Sequence, residues 1–276
     1  MKEAKEGGMK EAKDSWTDVI YNRRSGEFLG RTSSSWGLIL LFYLVFYGVL
    51  AGMFSLTIWV LLQTLDENVP RHQDRIANPG LVIHPHTSEI IFNRSNAADY
   101  SQYTQQLHNL LQRYNDSVQG SNDLCLVGEY TEQEHTAIKK VCQFKRSILQ
   151  QCSGLGDSSF GYADGKPCVL IKMNRVVGLK PQGDPYIHCT AKSDAQLRIQ
   201  YFPEEARLDK MFFPYYGKKA HPNYVQPMVA VKLLFSKQDY DAELSVECKL
   251  EGTNLRNNDE RDKFMGRVSF QVKVSE

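Results

Sequence analysis

Apolar residues follow three different rhythms along this chain. From Gly37 to Leu62 they run on without a charged residue. That run exceeds the roughly 20 residues needed to cross about 30 Å of hydrocarbon, and it predicts a membrane-spanning helix over 36–62. In "DYSQYTQQLHNLLQRYNDS", Tyr100, Tyr103, Leu107, Leu110, Leu111 and Tyr114 recur at helical spacing, with Asp99 as a cap. One amphipathic helix lying on the rest of its domain is expected there. Beyond Cys142 the rhythm is that of strands. "KPCVLIKMNRVVGLK", "QLRIQYF", "MVAVKLLF", "AELSVECKL" and "RVSFQVKVS" follow at short intervals between turn residues. The last is clearest, with Val268, Phe270, Val272 and Val274 alternating with Ser269, Gln271, Lys273 and Ser275. Such a series of short strands, each with one buried and one wet face, predicts an antiparallel β-sandwich. "LVIHPH" and "SEIIF" read as short strands around a turn, ahead of the helix.

These patterns divide the chain into a tail over 1–35, a span over 36–62 and a mainly-β domain over 63–276. The tail cannot bury a core. Its end, "YNRRSGEFLGRT", places Tyr21, Phe28 and Leu29 on a turn-like background, as a docking segment or a basic stretch drawn to anionic lipid. After the span, "QTLDENVPRHQDRIANPG" reads as an extended stalk, because Pro70, Pro79 and Gly80 oppose a helix. The apolar run is too long for a signal h-region and lacks a small-residue cleavage site, so it reads as an uncleaved signal anchor.

Charge is balanced, with 33 Lys plus Arg against 32 Asp plus Glu, and nothing advertises a nucleic-acid partner. Orientation follows from three features. Lys2, Lys5, Lys10, Lys13, Arg23, Arg24 and Arg31 precede the span, against Arg71, Arg75 and Arg94 after it. All 6 cysteines (Cys125, Cys142, Cys152, Cys168, Cys189 and Cys248) lie after it. So do the glycosylation sequons at Asn93 and Asn115. The N-terminus is therefore expected in the cytosol and the C-terminus outside. Many cysteine pairings are open. The simplest sequential one closes two short loops and one long clamp, each short bridge being worth about 3 kcal/mol by loop entropy.

Catalytic signatures are missing from the sequence: no phosphate-binding loop, no dinucleotide fingerprint, no HExxH and no GxSxG. "CSGLGDSS" reads as a turn, and "HPH" over 84–86 lacks a third metal ligand. Asp239 and Asp241 form a DxD, which supplies hard oxygen ligands in luminal glycosyltransferases of the same membrane topology. Here it sits between two strand patterns and reads as a hairpin turn. "MFFPYYGKKAHPNYVQP" crowds Phe212, Phe213, Tyr215, Tyr216 and Tyr224 around three prolines, as a core corner or as a protein interface. In the span, Tyr43 and Tyr47 lie within about 40° of each other on a helix, while Gly48 and Gly52 share a second face about 140° away. Glycines at that spacing let another backbone approach.

"GEFLGRT", "LLFYLVFYG", "QDR…PGL", "CSG" with "GKPC", "IKMNR", "FPYYGKK" and "RDKF.GRV", in that order and with six cysteines, resemble the β subunits of the Na,K-ATPase and H,K-ATPase family of P-type cation pumps. "YNDS", "HPNYVQPMVAVK" and "DERDKF" lean towards the β2/β3 type. The resemblance implies an immunoglobulin-like sandwich outside a single span, and disulfides Cys125–Cys142, Cys152–Cys168 and Cys189–Cys248. It implies no catalysis and no cofactor bound by this chain; Mg-ATP and Na+, K+ or H+ act on the catalytic α subunit. The β subunit would serve α's folding, export to the plasma membrane and potassium handling. Tyr43, Tyr47 and the aromatic segment from Phe212 would contact α, and the domain would cover α's external loop between its seventh and eighth helices. The glycine face would meet a second α helix, a small single-span regulatory subunit or lipid. One departure is Gln151, where the family often carries Asn and a glycan; a cell-adhesion glycoprotein acting in trans stays an alternative reading, and the few sequons count against any adhesion that relies on dense glycans.

Overall fold

The computed structural model describes residues 21–22, 26–66, 78–133, 136–192 and 197–276. Of the predicted tail over 1–35, residues 1–20 and 23–25 lie outside the described residues, as do 67–77, most of the predicted stalk. The chain divides into two compact units, Met1–Leu65 and Asp66–Glu276.

In the first unit, β1 (Tyr21–Asn22) pairs antiparallel with β2 (Glu27–Phe28) ahead of one long helix, α1 (Ser33–Gln63). Thr32 caps α1, its hydroxyl accepting from the Ser35 N–H at 3.4 Å. At 1.5 Å per residue the 31-residue helix is about 46 Å long, ample for a bilayer. It begins three residues before the predicted span because the Ser33–Ser35 turn is held by that cap. None of its residues is buried by the rest of the chain.

The second unit is a sandwich of two four-stranded sheets. Its strands are β3 (Leu81–His84), β4 (Glu89–Asn93), β5 (Cys168–Met173), β6 (Gly183–Ala191), β7 (Arg198–Phe202), β8 (Met228–Leu234), β9 (Leu244–Thr253) and β10 (Arg267–Ser275). One sheet has the order β4-β10-β9-β6 and the other β3-β5-β8-β7. All neighbours are antiparallel except β4, which runs parallel to β10 with Ile90 beside Val272. The two strands predicted around a turn at 81–93 both form, but as a crossover between sheets rather than a hairpin. Ile83 and Ile90 each point into the core, and opposite sheets satisfy both.

In β10 the predicted alternation holds: Val268, Phe270, Val272 and Val274 are buried. β5 and β8 depart from alternation. Val169, Leu170, Ile171, Met228, Val229, Ala230 and Val231 are all fully buried, so this sheet is covered on both faces. Part of that cover is a 3₁₀ segment, Arg146–Cys152, lying against β7 and β8.

The predicted amphipathic helix is α2 (Ala97–Leu111), burying Tyr103, Leu107 and Leu111. Its cap is Asn96 rather than Asp99. The Asn96 amide oxygen accepts from the Ala98 N–H at 3.1 Å. Asp99 sits in the first turn and receives the Asn96 side-chain N–H at 2.7 Å, where a carboxylate also suits the helix dipole. Tyr162, fully buried, packs its ring against Phe92, Tyr100 and Tyr103, joining α2 to β4 and to the loop before β5. A one-turn helix, α3 (Asp116–Gln119), follows.

The disulfides are Cys125–Cys142, Cys152–Cys168 and Cys189–Cys248. Cys189 and Cys248 are direct partners on neighbouring strands β6 and β9. That bridge staples two strands of one sheet, unlike the antibody-domain bridge that pins two sheets together.

Candidate interaction site

No cluster of three or more His, Cys, Asp or Glu suited to a metal occurs among the described residues. The DxD is a turn. Ser236 donates its N–H and hydroxyl to the Asp239 carboxylate at 2.9 and 2.5 Å, while Asp241 takes a left-handed φ of 63°. With Asp239 engaged by the turn itself, the pair does not present two free carboxylates to one cation. In "CSGLGDSS", Asp157 is likewise consumed locally, by Ser159 and the Gly161 N–H.

What the chain offers instead is surface. On α1, the Tyr43 and Tyr47 rings stack with centroids 5.8 Å apart, and Phe42 stacks on Phe46 at 5.9 Å. A rigid aromatic ridge results, with nothing in this chain covering it. At Gly48 and Gly52 an added Cβ would meet no atom within 4 Å, leaving a strip of bare backbone.

The aromatic-proline segment is built differently. Phe212, Phe213, Tyr215 and Tyr216 are buried and Tyr224 is half-buried, so all five serve the domain interior. Burial lifts the Tyr224 phenol far above its ordinary value. Its hydroxyl donates to the Phe212 carbonyl at 2.9 Å, and its ring packs on Tyr215 at 4.7 Å. Arg175 lies over the Tyr215 ring and Lys139 over the Tyr216 ring, at 5.4 and 4.6 Å. The Gln133 N–H donates to the Tyr216 hydroxyl at 2.5 Å, and the Thr131 N–H to the Phe213 carbonyl at 3.0 Å. The segment is thereby fastened to the loop closed by Cys125–Cys142. His221, buried among Tyr215, Tyr216 and Tyr224, shares a 2.7 Å hydrogen bond with the Lys140 carbonyl. What the segment shows outward is Lys218, Lys219, Pro222 and Asn223. Aromatics at such density fit a core or an interface alike, and the resemblance favoured an α contact for part of the segment; within this chain four of the five side chains are buried and Tyr224 is half-buried.

Both sequon asparagines are half-buried. The Asn93 side-chain nitrogen donates to the Glu276 carbonyl at 2.7 Å, and its oxygen accepts from the Ser95 N–H at 2.8 Å. The Asn115 oxygen accepts from the Arg146 guanidinium at 3.0 Å. Arg146, 7% exposed, also donates from Nε to the Ser153 carbonyl, and burial lowers its pKa. Gln151, where the resemblance leads one to expect a sequon, accepts from Lys232 at 2.9 Å. Sequence reasoning overlooked Arg146 and His221, since neither stands in a motif and both work through long-range partners.

A family profile described as "Sodium / potassium ATPase beta chain" matches residues 6–270. The chain is 44% identical over 276 residues to the sodium/potassium-transporting ATPase subunit beta-2 of Homo sapiens, covering 95% of this chain and 94% of that protein. The beta-2 subunit of Rhinella marina is 44% identical over 284 residues, with the same coverage. Protein ATP1B4 of Xenopus laevis is 39% identical over 289 residues, covering 99% of this chain and 91% of that protein.

Proposed function

From the premise that this chain belongs to the sodium/potassium ATPase beta chain family, as a non-catalytic accessory subunit of the P-type pump, we propose how it engages its partner. The catalytic α subunit seats on the tyrosine ridge of α1, Tyr43 and Tyr47, and the domain beyond the span lies on α's external surface. The observation that supports this most directly is the uncovered ridge itself. A lone lipid anchor has no use for stacked phenols, whereas hydroxyls in a bilayer gain from a protein partner across a helix interface.

Residues 1–35 face the cytosol, 36–62 span the plasma membrane and 63–276 lie outside, with glycans at Asn93 and Asn115. Through these contacts the chain assists α's folding and delivery and adjusts its potassium affinity. In the aromatic segment, Phe212, Phe213, Tyr215, Tyr216 and Tyr224 act by holding the shape of the loop that α meets, not by offering their own rings. Gly48 and Gly52 accept a close-packed helix, either α's or that of a small single-span subunit.

Co-expression of the full chain with an α subunit tests the reading. Tyr43→Leu combined with Tyr47→Leu keeps the span apolar while removing both hydroxyls and the ring stack. The yield of co-purified α, or the pump's apparent potassium affinity, should change at least twofold. Unchanged values for both would remove the ridge from the interface.

A further inference from the structure

The polypeptide just before α1 folds back onto the helix that follows it. After β2 the chain turns tightly, with Phe28 and Arg31 exchanging backbone hydrogen bonds of 2.9 and 3.2 Å. Leu29 and Gly30 form the tip with φ of 52° and 73°. Both central residues being left-handed marks a turn that favours Asn or Gly at its first central position. Leucine there is strained, and a relaxed turn was available through a simpler residue. The strained side chain is not used for packing: Leu29 is 52% exposed and its neighbour Phe28 48%. An exposed apolar side chain held in a disfavoured conformation points to something outside the chain that it touches.

The tip is lashed to the helix. The Trp36 indole N–H donates to the Phe28 carbonyl at 2.7 Å, and the two rings lie 6.1 Å apart. With its polar atom satisfied within the chain, the Trp36 ring can sit deep in an interface. Trp36 and Trp59 are 23 residues apart on one helix. At 1.5 Å per residue that is about 35 Å, a few ångströms more than a hydrocarbon core of about 30 Å, so the two rings can fall in the opposite interfacial zones where tryptophan collects. Phe28 and Leu29, tied to Trp36, are then at the same level, with the exposed Arg31 beside them.

We propose that the Phe28–Arg31 turn and Trp36 form a lipid-interface anchor. Phe28 and Leu29 enter the boundary between headgroups and acyl chains, and Arg31 meets lipid phosphates. The anchor sets the depth of a helix longer than the bilayer core is thick. This rests on α1 spanning a membrane, and the test separates the two ideas.

The full chain is reconstituted in vesicles of mixed neutral and anionic phospholipid. One version keeps Trp36 as its single tryptophan (Trp16→Phe, Trp59→Phe) and a second keeps Trp59. Lipids brominated near the glycerol or deep in the chain report depth. Trp59 quenched by lipid shows the helix is inserted; without that quenching the span itself is wrong. With insertion shown, Trp36 should be quenched most by the shallow bromines. Leu29→Gly, which relaxes the turn but removes the side chain, and Phe28→Ser should each move Trp36 towards water, with at least a twofold drop in shallow quenching and a matching gain in quenching by iodide. Unchanged profiles in both variants overturn the proposal. So does Trp36 protection that appears only when the large pump subunit is present, since the occupant would then be protein.

Discussion

Replacing Asn115 and replacing Ser117 both abolish the same sequon, yet the structure separates their consequences. Among the described residues the buried Arg146 guanidinium has two acceptors, the Asn115 oxygen and the Ser153 carbonyl. Asp116 adds only Coulombic support, and no ion pair to Arg146 occurs among the described residues. Asn115→Ala therefore strands a charged, desolvated N–H at the junction between α2, α3 and the turn after Cys152. Hydrogen bonds to charged groups contribute about 1.5–3 kcal/mol. For a domain of this size that is a fall in thermal midpoint of about 3–12 °C. Ser117 is exposed; Ser117→Ala keeps the asparagine and should cost less than about 0.5 kcal/mol. Thermal unfolding of the detergent-solubilised full chain, with parent and variants all made in a host that adds no N-linked glycans, isolates the side-chain effect from the sugar. Equal shifts for the two variants, or no shift for Asn115→Ala, would refute the argument that the asparagine serves Arg146.

Acid should loosen the second unit through two histidines. Burial, then Lys172 and His86, bring His84 from 6.5 to about 4. Burial also lowers His221, outweighing its bond to the Lys140 carbonyl, with Lys139 adding to the depression. A histidine depressed in the folded state favours folding while neutral, so this contribution is complete above about pH 6.5 and is lost as the pH falls towards 4. The midpoint of the parent should drop more steeply across that window than that of His84→Asn with His221→Asn; parallel curves would disprove it. Among the disulfides, Cys189–Cys248 closes a 59-residue separation against 17 and 16 for the others. Loop entropy then assigns it about 4 kcal/mol and the shorter bridges about 3 each. Paired serine variants should rank in that order, and finding Cys189/Cys248 the mildest would show that another term controls the result.

What sequence could and could not foresee follows from the range of the interactions involved. α1 and β10 were legible because a single solvent boundary governs each, and period alone encodes it. α2 was legible as a helix but not to its cap: Asn96 and Asp99 are both capping residues, and Asn93, with its N–H on the Asp99 carboxylate at 3.3 Å, helps decide between them. The crossover at 81–93 was hidden because two alternating strands and a short turn look alike whether they return to one sheet or step to the next. Full burial of β5 and β8 hid for a related reason. Their cover, the Arg146–Cys152 segment, carries Arg, Ser and Gln and has no apolar period of its own. The turn leading into β5 depends on a backbone detail that no apolar period encodes. Gly161 has φ of 79°, and a Cβ there would lie 2.2 Å from the Lys166 carbonyl oxygen, so this turn closes only around glycine. The aromatic segment carries the same lesson towards function. Side chains dense in aromatics invite a reading of surface, but Phe212 to Tyr216 are enclosed, and their neighbours Lys218, Lys219, Pro222 and Asn223 remain outside. If the proposed α contact includes this segment, Lys218, Lys219, Pro222 and Asn223 are the side chains that can touch a partner, and the enclosed aromatic positions supply rigidity. Conservative changes at the aromatic positions should act through stability, and changes at the outer positions through affinity alone.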